Sequence, residues 1–528
     1  MQRTAAAAGV AREFKDIFEL GGVPAFNQFY TFGVFIWKAL YRGLYKPWHI
    51  IPAPTVANER GTREMYRLNA AKAICAELAS LVWGEECEIN VTMSGRESSA
   101  ENPDPLGEYI KRVLRENAFN EKMQELIEQA LALGGAAVKV WREVRHDGEG
   151  REIAGSECLR LGYCMADQFV PTAWDNAKVT EGVFISRIAK SGYYYTRLEW
   201  HKWDGLTYIV TNELYRADMQ RGANGTESQD ILGVRWPLAD IYPYLDEVTE
   251  IPVEESLFSY FRTPIANNLD DNSPLGMSIY GNALETLHAL DICYDSFVRE
   301  FRLGKKRIIV PARAVRTVVD PQSGKARRYF DATDETYEAL ASDTPDDLKI
   351  TDNSVELRVE EHVAALNAFL SILCLQVGFS ASTFSFDERG GMKTATEVVS
   401  ENSKTYKTIK NVQNQLRPAI EHMIRNIIDV AILYGMQHEG QSIQALAAGG
   451  YEVNIVFDDG VTQDRQTNIN EGVMLVGAGL LSKYTFLTDR KYGQGLTDEQ
   501  AQEELERIRK ENAQTINVDQ VRLFGGGA

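Results

Sequence analysis

The sequence lacks the short motifs that mark common catalytic and cofactor sites. Its six cysteines are scattered and form no CxxC pair, which favours buried free thiols in a reducing compartment over a zinc site or a disulfide framework. Its seven histidines show no HExxH or other paired spacing, and neither a GxSxG nucleophile elbow nor a dinucleotide fingerprint is present. These absences point away from an enzyme, and we expect no metal and no cofactor.

Two short stretches come nearest to a cation site. His201 lies three residues before Asp204, and Asp458 is followed by Asp459. Both stretches run directly into a glycine, and an Asp-Gly step between apolar segments is typical of a turn. We therefore interpret both stretches as turns and not as metal sites.

The sequence is also poor in positive charge and in long hydrophobic runs. Its formal net charge of −19 argues against a protein that grips nucleic acid tightly, but it does not exclude one that DNA merely passes. The most apolar early run, FYTFGVFIW, has nine residues and precedes several basic residues, so we expect no membrane span. The amino terminus turns acidic before an apolar core forms, so we expect no secretory signal.

The segment Arg389 to Val398, RGGMKTATEV, raises the question of a phosphate-binding loop. A Walker loop requires glycine directly before the lysine and a second glycine five residues earlier, so that backbone N–H groups surround a phosphate. Here Met392 precedes Lys393, and Asp387 occupies the earlier position. The segment therefore does not predict a nucleotide site.

The same segment does contain a helix start. Thr394 and Glu397 have the spacing of a capping box, in which each side chain binds the backbone N–H of the other residue. Gly390 and Gly391 precede this cap and supply backbone freedom. We interpret the segment as a flexible glycine loop that leads into a helix.

The first half of the chain indicates helices followed by strands. With 528 residues, 44% of them apolar, the chain can form about three or four compact units or one elongated subunit. Apolar spacing predicts amphipathic helices over residues 63–83 and 105–133, the second ending at Gly134 and Gly135. Residues 136–262 are rich in β-branched and aromatic runs separated by Asp-Gly turns, which predicts antiparallel strands.

The second half indicates two long helices around a small insertion. Residues 281–303 and 357–379 carry apolar residues at helical spacing, and the face of the first helix includes one carboxylate, Asp291. Between them lies a β-prone basic segment and then an acidic stretch, so the two helices enclose a pin-like excursion. The basic segment either meets an acidic partner surface or is a solvated face; apart from Asp320, its charged residues are all basic: Lys305, Lys306, Arg307, Arg313, Arg316, Lys325, Arg327 and Arg328.

The remaining chain indicates one more long helix, a strand and terminal helices. Apolar spacing extends the helix that follows the capping box to about residue 431, and Pro418 predicts a kink near Asn414. Alternation in residues 453–457 predicts a strand. Thr497 and Gln500 predict the cap of the last helix.

Several of these segments resemble the portal proteins of tailed bacteriophages, in the branch found mostly in phages of Gram-positive hosts. The resemblance spans about residues 34 to 435 and is carried by FIWKALYRGLYKPWH, RLNAAKAICAELASLVWGEECEI, LRENAFNEKMQELIEQALALGGAAVKVW, SPLGMSIYGNALETLHALDICYDSFVREFRLGKKRIIVP and KTATEVVSENSKTYKTI.

The resemblance implies an α+β fold: a portal-type elongated subunit with a helical and β-rich wing, a two-helix stem, a small α/β clip, a long kinked wing helix and a helical C-terminal crown. It divides the chain into a wing over 1–275, a stem helix over 276–303, a clip over 304–354, a returning stem helix over 355–380, a tunnel loop over 381–394, a long wing helix over 395–450, and a C-terminal strand and crown over 451–528.

The resemblance also implies a function. Family members form a ring of about twelve copies at one capsid vertex, through which double-stranded DNA is packaged and later ejected. The implied partners are the terminase and later the head-tail adaptor at the clip, together with the major capsid and scaffold proteins, and no membrane is implied. The implied location is the portal vertex of the virion, and the host cytoplasm during assembly.

Candidate site residues follow from this assignment. The tunnel loop would bring to the DNA Arg389, Gly390, Gly391, Met392 and Lys393, with Thr394 and Glu397 as the helix cap. The partner-facing clip residues would be Lys305, Lys306, Arg307, Arg313, Arg327 and Arg328.

Two other classes of protein compete with this interpretation. A nucleotide-driven packaging motor or nuclease requires a phosphate loop and clustered acids, and the sequence supplies neither. A minor capsid or scaffold-like structural protein is disfavoured by the two long helices around a β-prone insertion, and ring formation distinguishes it.

Overall fold

The computed structural model shows an α+β protein in which helices and antiparallel strands alternate in blocks along the chain, as the sequence predicts. The structure describes residues 28–54, 60–84, 87–95, 104–149, 151–153, 156–176, 178–221, 227–228, 232–270, 273–304, 307–309, 316–319, 326–329, 351–353, 356–381, 383–384, 403–457, 465–488 and 500–510.

The helices of the described residues include three long ones, α6, α7 and α8. In chain order the helices are α1 (Gln28–Tyr41), α2 (Lys46–His49), α3 (Ala70–Val82), α4 (Pro105–Glu116), α5 (Phe119–Leu133), α6 (Leu284–Leu303), α7 (Val359–Val377), α8 (Ser403–Leu433), α9 (Ile443–Ala447), α10 (Arg465–Gly477), α11 (Lys483–Thr488) and α12 (500–510). Among the described residues, no helix combines the length and the apolar character that a membrane crossing requires.

The strands of the middle region form two antiparallel sheets. Strands β6 (Phe169–Asp175), β7 (Lys178–Lys190), β8 (Tyr193–Asp204), β9 (Thr207–Asp218) and β12 (Val234–Trp236) lie side by side in sequence order, and β13 (Val248–Ile251) also pairs with β9. The second sheet places β4 (Gly135–Glu143) between β5 (Cys158–Met165) and β14 (Phe258–Arg262). The antiparallel prediction for residues 136–262 is therefore confirmed.

The other strands are short or isolated pairs. They are β1 (Ile50–Pro52) with β2 (Thr62–Glu64), β10 (Gln220–Arg221) with β11 (Glu227–Ser228), β15 (Arg307–Ile309) with β18 (Thr351–Asn353), β16 (Arg316–Val319) with β17 (Ala326–Tyr329), β19 (Gln437–His438) with β20 (Gln441–Ser442), and β3 (Glu88–Met93) with β21 (Tyr451–Val456). The last pair joins the strand predicted at residues 453–457 to the N-terminal helical region.

The main core is shared by the N-terminal helices and the three long helices. Buried side chains of α3, α4 and α5 pack with those of α6, α7 and α8 in one continuous cluster. The predicted apolar face of α8 is buried at each of its described positions from 409 to 431, and the helix continues through Pro418. The kink near Asn414 stays a prediction.

Two predicted helix boundaries were wrong. The helix assigned to 63–83 begins only at Ala70, because the preceding residues pair with β1 and Asn69 adopts a left-handed conformation (φ 56°). The helix assigned to 105–133 is two helices, since Ala118 is also left-handed (φ 48°). The helix predicted to extend to about residue 431 ends at Leu433, and a short hairpin and α9 follow it.

Candidate functional site

Helices α6 and α7 form an antiparallel pair that frames the small β insertion. Contacts between the last turn of α6 and the residues that precede and begin α7 bring the two ends of the insertion together. The strands β15 and β18, which directly continue from this end, pair with each other in antiparallel fashion. The described ends of the insertion therefore lie together, as the predicted pin-like excursion requires.

A polar cluster ties the two helices at the insertion end. The Arg358 guanidinium donates to both carboxylate oxygens of Glu300, with Nε–Oε1 and Nη2–Oε2 distances of 3.1 and 2.9 Å. His362 lies beside the same carboxylate, and its ring also packs on Phe297 at a centroid distance of 5.4 Å. The hydrogen bonds from Arg358 lower the pKa of Glu300 from its ordinary value. Arg358 is exposed, whereas Glu300 and His362 are half-buried, and the cluster acts mainly to fix the pairing of the two helix ends.

The other side of α6 carries buried carboxylates that bind the N-terminal segment. Asp291, the carboxylate on the predicted apolar face, is buried and lies 2.9 Å from the ring nitrogen Nε2 of His49. Its second oxygen accepts a hydrogen bond of 2.9 Å from the backbone N–H of Leu68. A buried carboxylate is stable only when it has such partners. Asp291 therefore joins α6 to the chain on both sides of the β1–β2 pair.

Asp295, one turn further along α6, repeats this arrangement. Its two oxygens accept hydrogen bonds from the Arg63 guanidinium at 2.8 and 2.5 Å, and one of them also accepts from the backbone N–H of Tyr66. The bidentate bond from Arg63, followed by the Tyr66 N–H, lowers the pKa of Asp295 below its ordinary value. Strand β2 is thereby held against α6.

We expect the substitution Asp295→Asn to lower the free energy of unfolding by about 2 kcal/mol at neutral pH, because it removes a charge-assisted bidentate bond. Since the pKa of Asp295 is lowered in the folded protein, this stabilisation is present above the unfolded pKa of about 4 and is lost as the pH falls through the folded value. Urea unfolding of both proteins at pH 7 and pH 3 measures the difference.

Glu285→Gln on the same helix is a matched control, because Glu285 is exposed. We expect this change to alter stability by no more than about 0.5 kcal/mol. A difference between the wild type and the Asp295→Asn protein that is equally large at pH 3 would contradict the ionic pairing.

Two glycines anchor the segment that leads into α6. Gly134, the residue after α5, adopts φ 96°, and its backbone lies against that of Gly276, so a Cβ at position 134 would lie 2.1 Å from the Gly276 carbonyl oxygen. The Thr263 hydroxyl binds the carbonyl oxygens of Gly134 and Met277 at 3.2 and 2.6 Å. The start of α6 is therefore fixed relative to α5 and to the sheet that begins at β4.

Helix α7 has apolar side chains on two opposite faces. One face, which includes Leu366, Leu370 and Leu373, is buried in the main core. The opposite face carries a stripe at spacings of four, four and three residues that is exposed to solvent; it consists of Ala364, Ala368, Ile372 and Leu375, the last with 66% of its surface accessible. A helix that is apolar all round normally has both faces covered, so this stripe is available for contact with another chain.

Most of the residues predicted to contact DNA or partner proteins lie outside the part of the chain that the structure describes. The loop residues Arg389, Gly390, Gly391, Met392 and Lys393, the cap residues Thr394 and Glu397, and the basic residues Lys305, Lys306 and Arg313 lie outside the described residues. The backbone of Arg307 lies in β15, and those of Arg327 and Arg328 lie in β17. Their proposed roles therefore rest on the sequence.

The turn predicted after His201, at Asp204 and Gly205, is confirmed. His201 itself lies in strand β8, in a buried group of polar side chains between the two sheets. The β8–β9 hairpin turns at Gly205, while the His201 ring contacts the Glu199 carboxylate at 3.1 Å and the Tyr208 hydroxyl at 2.7 Å. Glu199 also pairs with Lys139 of the neighbouring sheet. Burial alone would raise the pKa of Glu199, but the Lys139 ammonium and the His201 bond hold it well below its usual range.

The part of the chain that the structure describes contains no candidate metal centre. No group of three or more His, Cys, Asp or Glu side chains there is arranged to hold an ion. Asp458 and Asp459 lie outside the described residues.

Comparison with known proteins finds one family whose profile matches most of the chain. The sequence profile of the family described as "Phage portal protein, SPP1 Gp6-like" matches residues 37–518. No curated protein matches the chain. The matched span includes the helical region, both sheets, the α6–α7 pair and α8.

Proposed function

The chain belongs to the SPP1 Gp6-like family of phage portal proteins, and from this premise we propose that it forms a ring at one capsid vertex through which double-stranded DNA enters and leaves. The ring would contain about twelve copies related by cyclic symmetry, each making the same head-to-tail contact with its neighbour. Its role would be structural and not catalytic. Its location would be the portal vertex of the virion, after assembly in the host cytoplasm.

The observation that carries the proposal is the second apolar face of α7. An exposed apolar stripe that includes Ile372 and Leu375 is typical of a surface that contacts another chain. Helix α6 adds two further exposed apolar residues, Ile292 and Phe301. In a closed ring each copy covers the stripe of its neighbour, so that no copy is left with an uncovered face. The paired helices are therefore suited to form the wall of a ring.

The charge of the chain is consistent with a conduit for DNA. A strongly basic channel would bind the duplex through release of its counterions and would hold it in place. A net charge of −19 with few cations near the path would let the duplex slide. We propose that Arg389 and Lys393 contact phosphates in passing, and that the glycines between them form a soft collar in the tunnel loop.

The clip would supply the docking surface for other packaging proteins. We propose that its basic segment meets acidic surfaces on the terminase during packaging and on the head-tail adaptor afterwards, while the wing contacts the major capsid and scaffold proteins. The β15–β18 pair supports this proposal, because it holds the two ends of the insertion together at the end of the helix pair.

Negative-stain electron microscopy with mass photometry on the same purified protein tests the ring. Rings with a central hole and a mass of about twelve or thirteen copies support the proposal. A stable monomer or dimer at assembly concentrations would instead favour the second candidate, a minor capsid or scaffold-like protein.

We expect replacement of both Gly390 and Gly391 by proline to reduce packaging and DNA retention, because proline fixes φ and removes the backbone freedom of the loop. The measurement is the fraction of particles whose DNA resists nuclease. The alanine pair at the same positions is the control, since alanine leaves φ less restricted. Normal retention with the proline pair would rule out the collar.

A further inference from the structure

The end of α7 and the beginning of α8 are joined by hydroxyl groups. The backbone N–H of Ser380 donates to the Thr405 hydroxyl oxygen at 2.9 Å, and the backbone N–H of Thr405 donates to the Ser380 hydroxyl at 3.4 Å. The two hydroxyls also bind each other at 3.2 Å, and both residues are buried. Each side chain thus satisfies a backbone donor of the other segment.

The first turns of α8 also satisfy the last carbonyls of α7. The Thr408 hydroxyl donates to the Gly378 carbonyl at 2.7 Å, and the Lys404 ammonium donates to the Leu375 carbonyl at 2.6 Å. Carbonyls at a helix C-terminus have no partner within the helix, and the negative end of the helix dipole favours a cation there. Gly378 adopts φ 89°, which brings its backbone against Thr408. We call these six residues, Leu375, Gly378, Ser380, Lys404, Thr405 and Thr408, the helix clasp.

We infer that the helix clasp is the positioning element of the DNA-contacting segment: it holds together the two chain ends between which residues 389–393 lie. This inference rests on the proposed function for its DNA readout. All residues of the clasp lie in the part of the chain that the structure describes. The hydrogen bond between Ser380 and Thr405 joins the chain that precedes the intervening segment to the chain that follows it. The hydrogen bonds of the clasp therefore link the end of α7 to the start of α8.

The contribution of the hydroxyl groups to the clasp can be tested by substitution. Both threonines can be replaced by valine, which keeps the branched shape but removes the hydrogen bonds. In the Thr405→Val protein the buried N–H of Ser380 loses its acceptor, and in the Thr408→Val protein the Gly378 carbonyl loses its donor. Serine at the same positions keeps the hydroxyl and is the matched control.

The experiment measures two properties of the full chain assembled into rings. Hydrogen exchange of residues 376–384 and 403–410 reports the clasp itself, and nuclease resistance of the DNA in packaged particles reports its function. We expect the valine proteins to exchange about tenfold faster in these segments and to lose DNA severalfold more often, with normal ring assembly. The serine proteins should match the wild type in both properties.

Either of two results would overturn the inference. Unchanged exchange in both valine proteins would show that the clasp does not hold the helices together. Faster exchange with normal DNA retention would show that it holds the helices without positioning anything that acts on DNA. Failure of the proposed function is distinguishable, because rings or retention would then already be absent from the wild-type protein while the exchange result still reports the clasp.

Discussion

Replacing Gly134 by alanine is expected to prevent stable folding of the subunit. The residue has φ 96°, which costs a non-glycine residue about 1–3 kcal/mol, and the new Cβ would lie 2.1 Å from the Gly276 carbonyl oxygen. The contacted atom belongs to a backbone and cannot rotate away. We expect a total loss of at least ~3 kcal/mol in the free energy of unfolding, measured by soluble yield and urea unfolding.

Gly205→Ala provides the matched control for this prediction. Gly205 also has a positive φ of 61°, but no atom lies within 4 Å of the position that its Cβ would take. It therefore reports the cost of the backbone conformation without the collision, which we expect to be about 1 kcal/mol. A Gly134→Ala protein as stable as the Gly205→Ala protein would show that the contact with Gly276 relaxes freely.

The second prediction concerns the exposed stripe of α7. Replacing Ile372 by aspartate is expected to abolish rings while leaving the subunit folded, because 46% of the residue's surface is accessible in the single chain. In a ring, the charge would be buried at every subunit contact, at a cost of several kcal/mol for each unpaired carboxylate. Mass photometry across a concentration series measures assembly, and circular dichroism measures the fold.

Gln415→Asp on α8 is the control, since it adds the same charge at an exposed polar position of another helix. We expect this protein to assemble normally. Rings of the Ile372→Asp protein at wild-type concentrations would show that the stripe is not a subunit contact, and would remove the main support for ring formation through these helices.

The elements that the sequence predicted best are those that local periodicity determines. Helices α6, α7 and α8 are recognisable because their apolar residues repeat at spacings of three and four. The pattern matches the buried faces of α7 and α8 well, whereas on α6 it includes the exposed Phe301. The helix break at Ala118 has no signal in its residue type, because alanine rarely adopts a left-handed backbone, whereas Asn69 is of a type that adopts it more often. The pairing of β3 with β21 was missed because it joins distant parts of the chain.

In the candidate site, too, some features are visible in the sequence and others depend on contacts between distant residues. The carboxylate of Asp291 on an otherwise apolar face was visible in the sequence, and it was a signal of a buried partner, but nothing local identified His49 or Leu68 as that partner. The apolar stripe opposite the buried face of α7 was equally visible. The Gly134–Gly276 contact carries no periodic signal, since it depends on two backbones meeting in space.

The pairing of β3 with β21 also affects how the chain reaches its native state on the ribosome. Strand β3 belongs to the first part of the protein to be synthesised, yet the strand that completes its sheet is made only after α6, α7 and α8. Contacts of such long sequence separation form late and slowly. A nascent chain therefore carries an unpaired strand edge until residue 456 has emerged, and interrupted translation products would be prone to edge-to-edge association.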